Sequence, residues 1–144
     1  MASEEHYRKL ERAYLTAPTN RYYKPEVRIG DRVSEITITV DPRFFHAADA
    51  VHGSVYFKAL DDAAFFAANS IVEDVFVLTA SFNIHLMRPI SEGRMTATGR
   101  LVHGTRRSFV AEAKLVDSEG QLLATGTGTF IRSAIPLDER IGYV

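Results

Sequence analysis

The sequence predicts an α+β fold in which one long buried helix lies against an antiparallel sheet, and two observations carry this. The sixteen residues from Ser54 to Asn69 are apolar almost all round, with no Gly or Pro among them, as a core helix requires. Five other stretches alternate apolar and polar residues with period two and end at turn residues, as half-buried strands do.

Taken in order, Glu4 to Leu15 reads as a short amphipathic helix with Tyr7, Leu10 and Tyr14 on one side, ended by Pro18 and Asn20. Arg32 to Val40 is a strand that carries Ile36, Ile38 and Val40 on one face and stops at Asp41-Pro42. The central helix follows, with Gly53-Ser54 as its start signal and Ser54 as the expected N-cap. From Val75 to Met87, Phe76, Leu78, Ala80, Phe82, Ile84 and Leu86 fall on one face and Thr79, Ser81, Asn83 and His85 on the other. Gly93 to His103, Arg107 to Asp117 and Gln121 to Arg132 complete the strands, with turns at His103-Gly104-Thr105-Arg106 and Asp117-Ser118-Glu119-Gly120. The expected order is helix, strand, helix, then four strands in an antiparallel meander.

Length and composition bound the function. A chain of 144 residues without repeats, low-complexity tracts or linkers is expected to form one domain over 1–144, with 1–20 as N-terminal helix and connection and 133–144 as a C-terminal tail. A net charge of −1 gives no general attraction to nucleic acid or to an anionic membrane. The acidic start, Met1 to Glu5, has no apolar core region, so it is not read as a signal peptide; no membrane span is expected and a cytoplasmic protein is. Without cysteine there is no disulfide and no thiol catalysis. His46, His85 and His103 share no metal-like spacing with the acids, so no metal and no cofactor are expected.

The apolar helix carries two adjacent acids, Asp61 and Asp62, and a buried carboxylate without a partner is expensive. Lys58 stands three residues before one and four before the other, so Asp62 reads as its ion-pair partner and Asp61 as either a second partner or a reactive acid. Flanked by Phe57, Leu60 and Phe65, Asp61 should titrate above an exposed Asp and so serve as a base near neutral pH. Gly53 opens the helix, where unpaired backbone N–H groups and the positive end of the helix dipole suit a developing oxyanion.

The spacing from His52-Gly53 to Asp61, the Leu60-Asp61-Asp62-Ala63 context, Asn69 at the helix end and the segment from Met87 to Gly93 together resemble the hot-dog-fold acyl-CoA thioesterases of the phenylacetate-degradation, PaaI-like type. The resemblance covers residues 27 to 132 and implies a five-stranded antiparallel sheet wrapped around the helix. It implies that Asp61 is the catalytic carboxylate, as general base or nucleophile, that the Gly53 N–H polarises the thioester carbonyl, that Thr79 orients water and that His52 shapes the site. Ser54 replaces the second glycine of the motif and His46 stands where similar proteins often carry Asn, so substrate preference does not transfer. His46, Ser54 and Phe57 are taken as substrate-binding candidates. Phe44, Phe45 and Tyr56 are further candidates for an acyl pocket, and Arg106 and Arg107 suit coenzyme A phosphates because guanidinium forks match phosphate.

Similar proteins pair two sheets edge to edge, so the resemblance also implies a homodimer or a dimer of dimers whose sites use both chains. The expected activity is hydrolysis of a small, medium-chain or aromatic acyl-CoA. A hot-dog acyl-CoA hydratase or dehydratase and a non-catalytic acyl-CoA binding protein are the alternatives.

Overall fold

A computed structural model describes residues 2–144. The chain forms α1 (Glu4–Thr16), a one-turn α2 (Asn20–Tyr23), β1 (Glu26–Gly30), β2 (Val33–Thr39), α3 (Gly53–Asn69), β3 (Val75–Leu86), β4 (Arg94–Gly104), β5 (Ser108–Val116) and β6 (Leu122–Pro136). All strand pairings are antiparallel, in the order β1-β2-β4-β5-β6-β3. α3 lies across one face of this sheet and supplies the centre of the core, with Ala59, Leu60, Ala63, Ala64, Ala67 and Ala68 fully buried.

The fold class holds, and three details differ from expectation. The sheet has six strands because Glu26–Gly30 forms a short edge strand on β2. Its alternation buries a single residue, Ile29, too weak a pattern to read from sequence. The meander is three strands long, β4-β5-β6, while β3 crosses the molecule to pair with β6 at the opposite edge. Ser133 to Pro136, assigned to the tail, extends β6 instead.

Alanines along α3 let helix and sheet approach closely. The limit is reached at Gly99 on β4, where a Cβ would fall 2.2 Å from the Ala63 carbonyl group. Tyr7, Leu10 and Tyr14 form the buried face of α1, as its period requires, and Ser3 caps that helix by accepting from the His6 N–H at 3.2 Å. His6 then ties α1 to the end of α3, donating from Nε2 to the Asn69 carbonyl at 3.0 Å while Nδ1 takes the Tyr143 hydroxyl at 2.8 Å.

Gly99→Ala should therefore push α3 off the sheet and lower stability by about 3 kcal/mol, the upper range for overpacking. Thermal unfolding followed by circular dichroism measures it, and an unchanged midpoint would show that helix and sheet separate freely.

Candidate active site

Three residues of α3 spaced one turn apart, Phe57, Asp61 and Phe65, face three residues of β3. Phe57 stacks edge-on against Phe82 with ring centroids 5.5 Å apart, and Phe65 packs against Phe76 at 4.9 Å. Between them, the Thr79 hydroxyl donates to Asp61 Oδ1 at 2.9 Å. A regular strand would oppose this helix with Phe82, Ala80 and Leu78, because side chains two residues apart share a face. The register breaks twice instead: Thr79 and Ser81 oppose the adjacent Phe130 and Thr129, leaving Ala80 as an extra residue, and a second irregularity lies between Val75 and Val77. The expected phase of β3 is thus corrected. Val77 is fully buried, Leu78 is 41% exposed, and Thr79 lies on the helix side rather than the face opposite the core.

The two acids have different surroundings. Asp62 Oδ2 takes Lys58 Nζ at 2.7 Å and the Tyr14 hydroxyl at 2.6 Å, and the Lys58 ammonium lies over the rings of Tyr14 and Tyr23. Burial pushes the Asp62 carboxyl up and the Lys58 contact opposes the shift. Among the described residues, Asp61 has only the neutral Thr79 as direct hydrogen-bond partner. Its carboxyl is pushed up to about 6, first by burial and further by the charge of Asp62, with the Thr79 hydrogen bond and Lys58 pulling the other way.

At the N-terminus of α3 the cap is His52, not Ser54. The His52 imidazole accepts from the Ser54 N–H at 3.0 Å and lies 2.9 Å from the Ser54 hydroxyl, which places the ring proton on Nε2. The Val55 N–H is satisfied by the His52 carbonyl, whereas the Gly53 N–H has no acceptor among the described residues. Gly53 lines a cavity of about 340 Å³ together with His46, Tyr56, Leu86, Met87 and Arg88. His46 is fixed by the turn that follows it, with Nδ1 accepting from the Ala48 N–H at 3.0 Å.

Gly53 and Asp61 are eight residues apart on one helix, which separates them by about 12 Å along its axis. No single carbonyl reaches both within one chain. Phe44 is core, packed on Tyr22 and Tyr23. Arg106 and Arg107 line an open cleft of about 740 Å³ with Ser108, Ile131 and Arg132. Arg132 was not singled out from the sequence, because only the pairing of β5 with β6 brings it beside the hairpin.

A free N–H at a helix start and an isolated, half-buried acid further along the same helix meet a direct family match at this point. The thioesterase superfamily profile matches residues 49–124, more than half of the chain and a span holding both Gly53 and Asp61. The chain belongs to the thioesterase superfamily. Its fold is the hot-dog fold of PaaI proteins: the E. coli PaaI protein from the phenylacetic acid degradation operon superposes with a TM-score of 0.85 at 18% identity, covering 94% of this chain and 99% of that one. A Thermus thermophilus PaaI variant gives a TM-score of 0.73 at 22% identity, covering 81% of this chain and all of that one. A Saccharolobus solfataricus protein named as a candidate esterase is 24% identical over 98 residues, which are 68% of this chain and 65% of that protein, just under two thirds of its length.

For this superfamily member the raised acid has a signed consequence. Between pH 3.8 and about 6 the folded protein holds a proton on Asp61 that the unfolded chain has released, so stability falls as pH rises through that window and is level above it. Asp61→Asn removes the cost. At pH 7.5 the variant should be more stable than the parent by roughly 1 to 3 kcal/mol, with the gap closing towards pH 4. Denaturant titrations at the two pH values check it, and a gap independent of pH would show that Asp61 is not raised.

Proposed function

We propose that the protein hydrolyses acyl-CoA thioesters of small, medium-chain or aromatic acids, with Asp61 as general base. The observation that carries this reading is the Asp61–Thr79 contact: a half-buried carboxylate, with no ion pair of its own among the described residues, sits between two aromatic pairs with its proton affinity near neutrality. Thr79 holds Oδ1, which leaves Oδ2 to take a proton from water. That water attacks the thioester carbonyl, the Gly53 N–H stabilises the oxyanion, and collapse expels the coenzyme A thiolate, which takes up a proton from the medium as Asp61 releases the one it accepted. Thioesters are activated enough for this pair of groups.

The separation of Gly53 from Asp61 requires a second copy of the chain. β3 presents a twelve-residue free edge with exposed Leu78 and Leu86, followed by exposed Met87, the kind of surface that pairs with another strand. In a homodimer paired through β3, Gly53 of one chain serves Asp61 of the other, and a dimer of dimers is the larger assembly. His52 and Ser54 fix the turn that presents the Gly53 N–H, and His46 and Phe57 contact the acyl arm. Arg106 and Arg107, with Arg132, bind the nucleotide phosphates. Their support is register: Leu78 opposes Ile131 and Ile131 opposes Ser108, so the cleft lies on the outer face about two strand spacings, roughly 10 Å, from Thr79.

Asp61→Asn should lower kcat by about 10²- to 10⁴-fold with binding retained, and Asp62→Asn should leave it within a few fold. Release of free thiol from a panel of acyl-CoAs reads both. Mixing the Asp61→Asn chain with a Gly53→Val chain should restore activity in hybrid dimers, since one of their two sites has both groups intact; failure to complement would place the whole site in one chain. Replacing Arg106 and Arg107 together by Ala should raise KM for acyl-CoA about tenfold while sparing a short thioester that lacks the nucleotide. Equal losses on both substrates would assign the arginines to folding.

A further inference from the structure

Buried backbone groups that leave a sheet ladder need other partners. At the start of β3 the ladder fails: Val75 opposes Pro136 and Val77 opposes Arg132, so Phe76 alone stands against Ser133, Ala134 and Ile135. Three backbone groups of β3 at this break, the Val75 and Phe76 carbonyls and the Val77 N–H, are taken by two side chains from other elements. Asn69, fully buried at the end of α3, accepts from the Val77 N–H at 2.9 Å through Oδ1 and donates through Nδ2 to the Val75 carbonyl at 3.2 Å and the Val72 carbonyl at 3.1 Å. The Ser133 hydroxyl donates to the Phe76 carbonyl and accepts from the Ile135 N–H at 3.0 Å. Every polar atom of the Asn69 carboxamide is used, and none of these bonds is to Asp61 or Thr79.

The clamp holds Val77 with its side chain inward, and Thr79, two residues on, inherits that facing. From the other end, Phe82 is seated over Gly126 and Gly128 of β6, where a Cβ on either glycine would fall within 2.5 Å of the ring. These two anchors impose opposite phases on one strand. The mismatch is absorbed by the single extra residue Ala80, and Thr79 is left facing Asp61.

The geometry points to Asn69 and Ser133 as positioning residues that turn the Thr79 hydroxyl onto Asp61 by fixing the phase of β3. This rests on the reading of Asp61 as the base. Without the clamp, Val75 to Thr79 relaxes to the period-two phase set from Phe82, which presents Ala80 to the acid and leaves its Oδ1 without a donor. The charged and titratable groups around Asp61 are Lys58 and Asp62 on α3 and Tyr14 on α1, and neither clamp residue touches them.

The test is a double-mutant cycle with Thr79→Val, read by kcat, KM and the acidic limb of the kcat/KM profile. Ser133→Ala and Asn69→Ser should each lower kcat roughly five- to thirtyfold with KM within twofold. Each should also move the acidic midpoint upward, as loss of the Thr79 donor must, and add little in the Thr79→Val background. A fall in melting temperature with an unmoved midpoint, or full additivity with Thr79→Val, overturns the proposal. If Asn69→Ser does not fold, Ser133→Ala and the wild-type protein decide: the Asn69 side-chain amide protons should exchange as slowly as core backbone amides, and rapid exchange overturns the clamp. If Asp61→Asn leaves kcat at the parent value, the assignment of Asp61 as base fails separately. The clamp is then judged by a crystal structure of Ser133→Ala, which overturns it if Thr79 still meets Asp61.

Discussion

One cation shared unequally between two carboxylates is the constraint on which the rest depends. Lys58 stands within a turn of both Asp61 and Asp62, and Tyr14 decides the competition by adding a second donor to Asp62. Because Asp62 is satisfied, it is a structural group that joins α1 to α3. Burial raises the proton affinity of Asp61 above that of an ordinary aspartate, the charge of Asp62 adds to it, and Lys58, engaged by Asp62, offsets it only in part. The N-terminal helix, which reads as a cover for the core, thus bears on the electrostatics of Asp61 through Tyr14, which binds Asp62 from 48 positions away in sequence.

The legible parts of the molecule are those governed by local periodicity. The apolar run of α3, the two acids within it and the alternation of the long strands are properties of short windows, and the elements appear where those windows place them. Sheet order is a matter of long-range pairing, so the passage of β3 to the far edge has no local signature. The cap of α3 went to His52 because its imidazole is turned to accept from the Ser54 N–H; residue preferences favour Ser at such a position and do not anticipate it.

Thr79 shows a different limit. The resemblance implies that it orients water in the site, yet strict alternation puts it on the face turned away from the helix. Both statements are reconciled by the extra residue Ala80, which nothing in the local sequence distinguishes from an ordinary strand residue. Arg132 was missed for a similar reason, since it joins Arg106 and Arg107 only through cross-strand register.

The irregularity of β3 also bears on how the chain behaves in solution. A straight, apolar edge of twelve residues would offer a regular row of hydrogen-bonding groups to any strand it met, which is a route to aggregation. The extra residue interrupts that row and strengthens the local twist, so a partner must bring a matching irregularity to pair along its full length. A second copy of the same chain, related by a two-fold axis, carries it automatically. The distortion that aims a hydroxyl at an acid therefore also acts as a filter against promiscuous strand pairing by the folded protein.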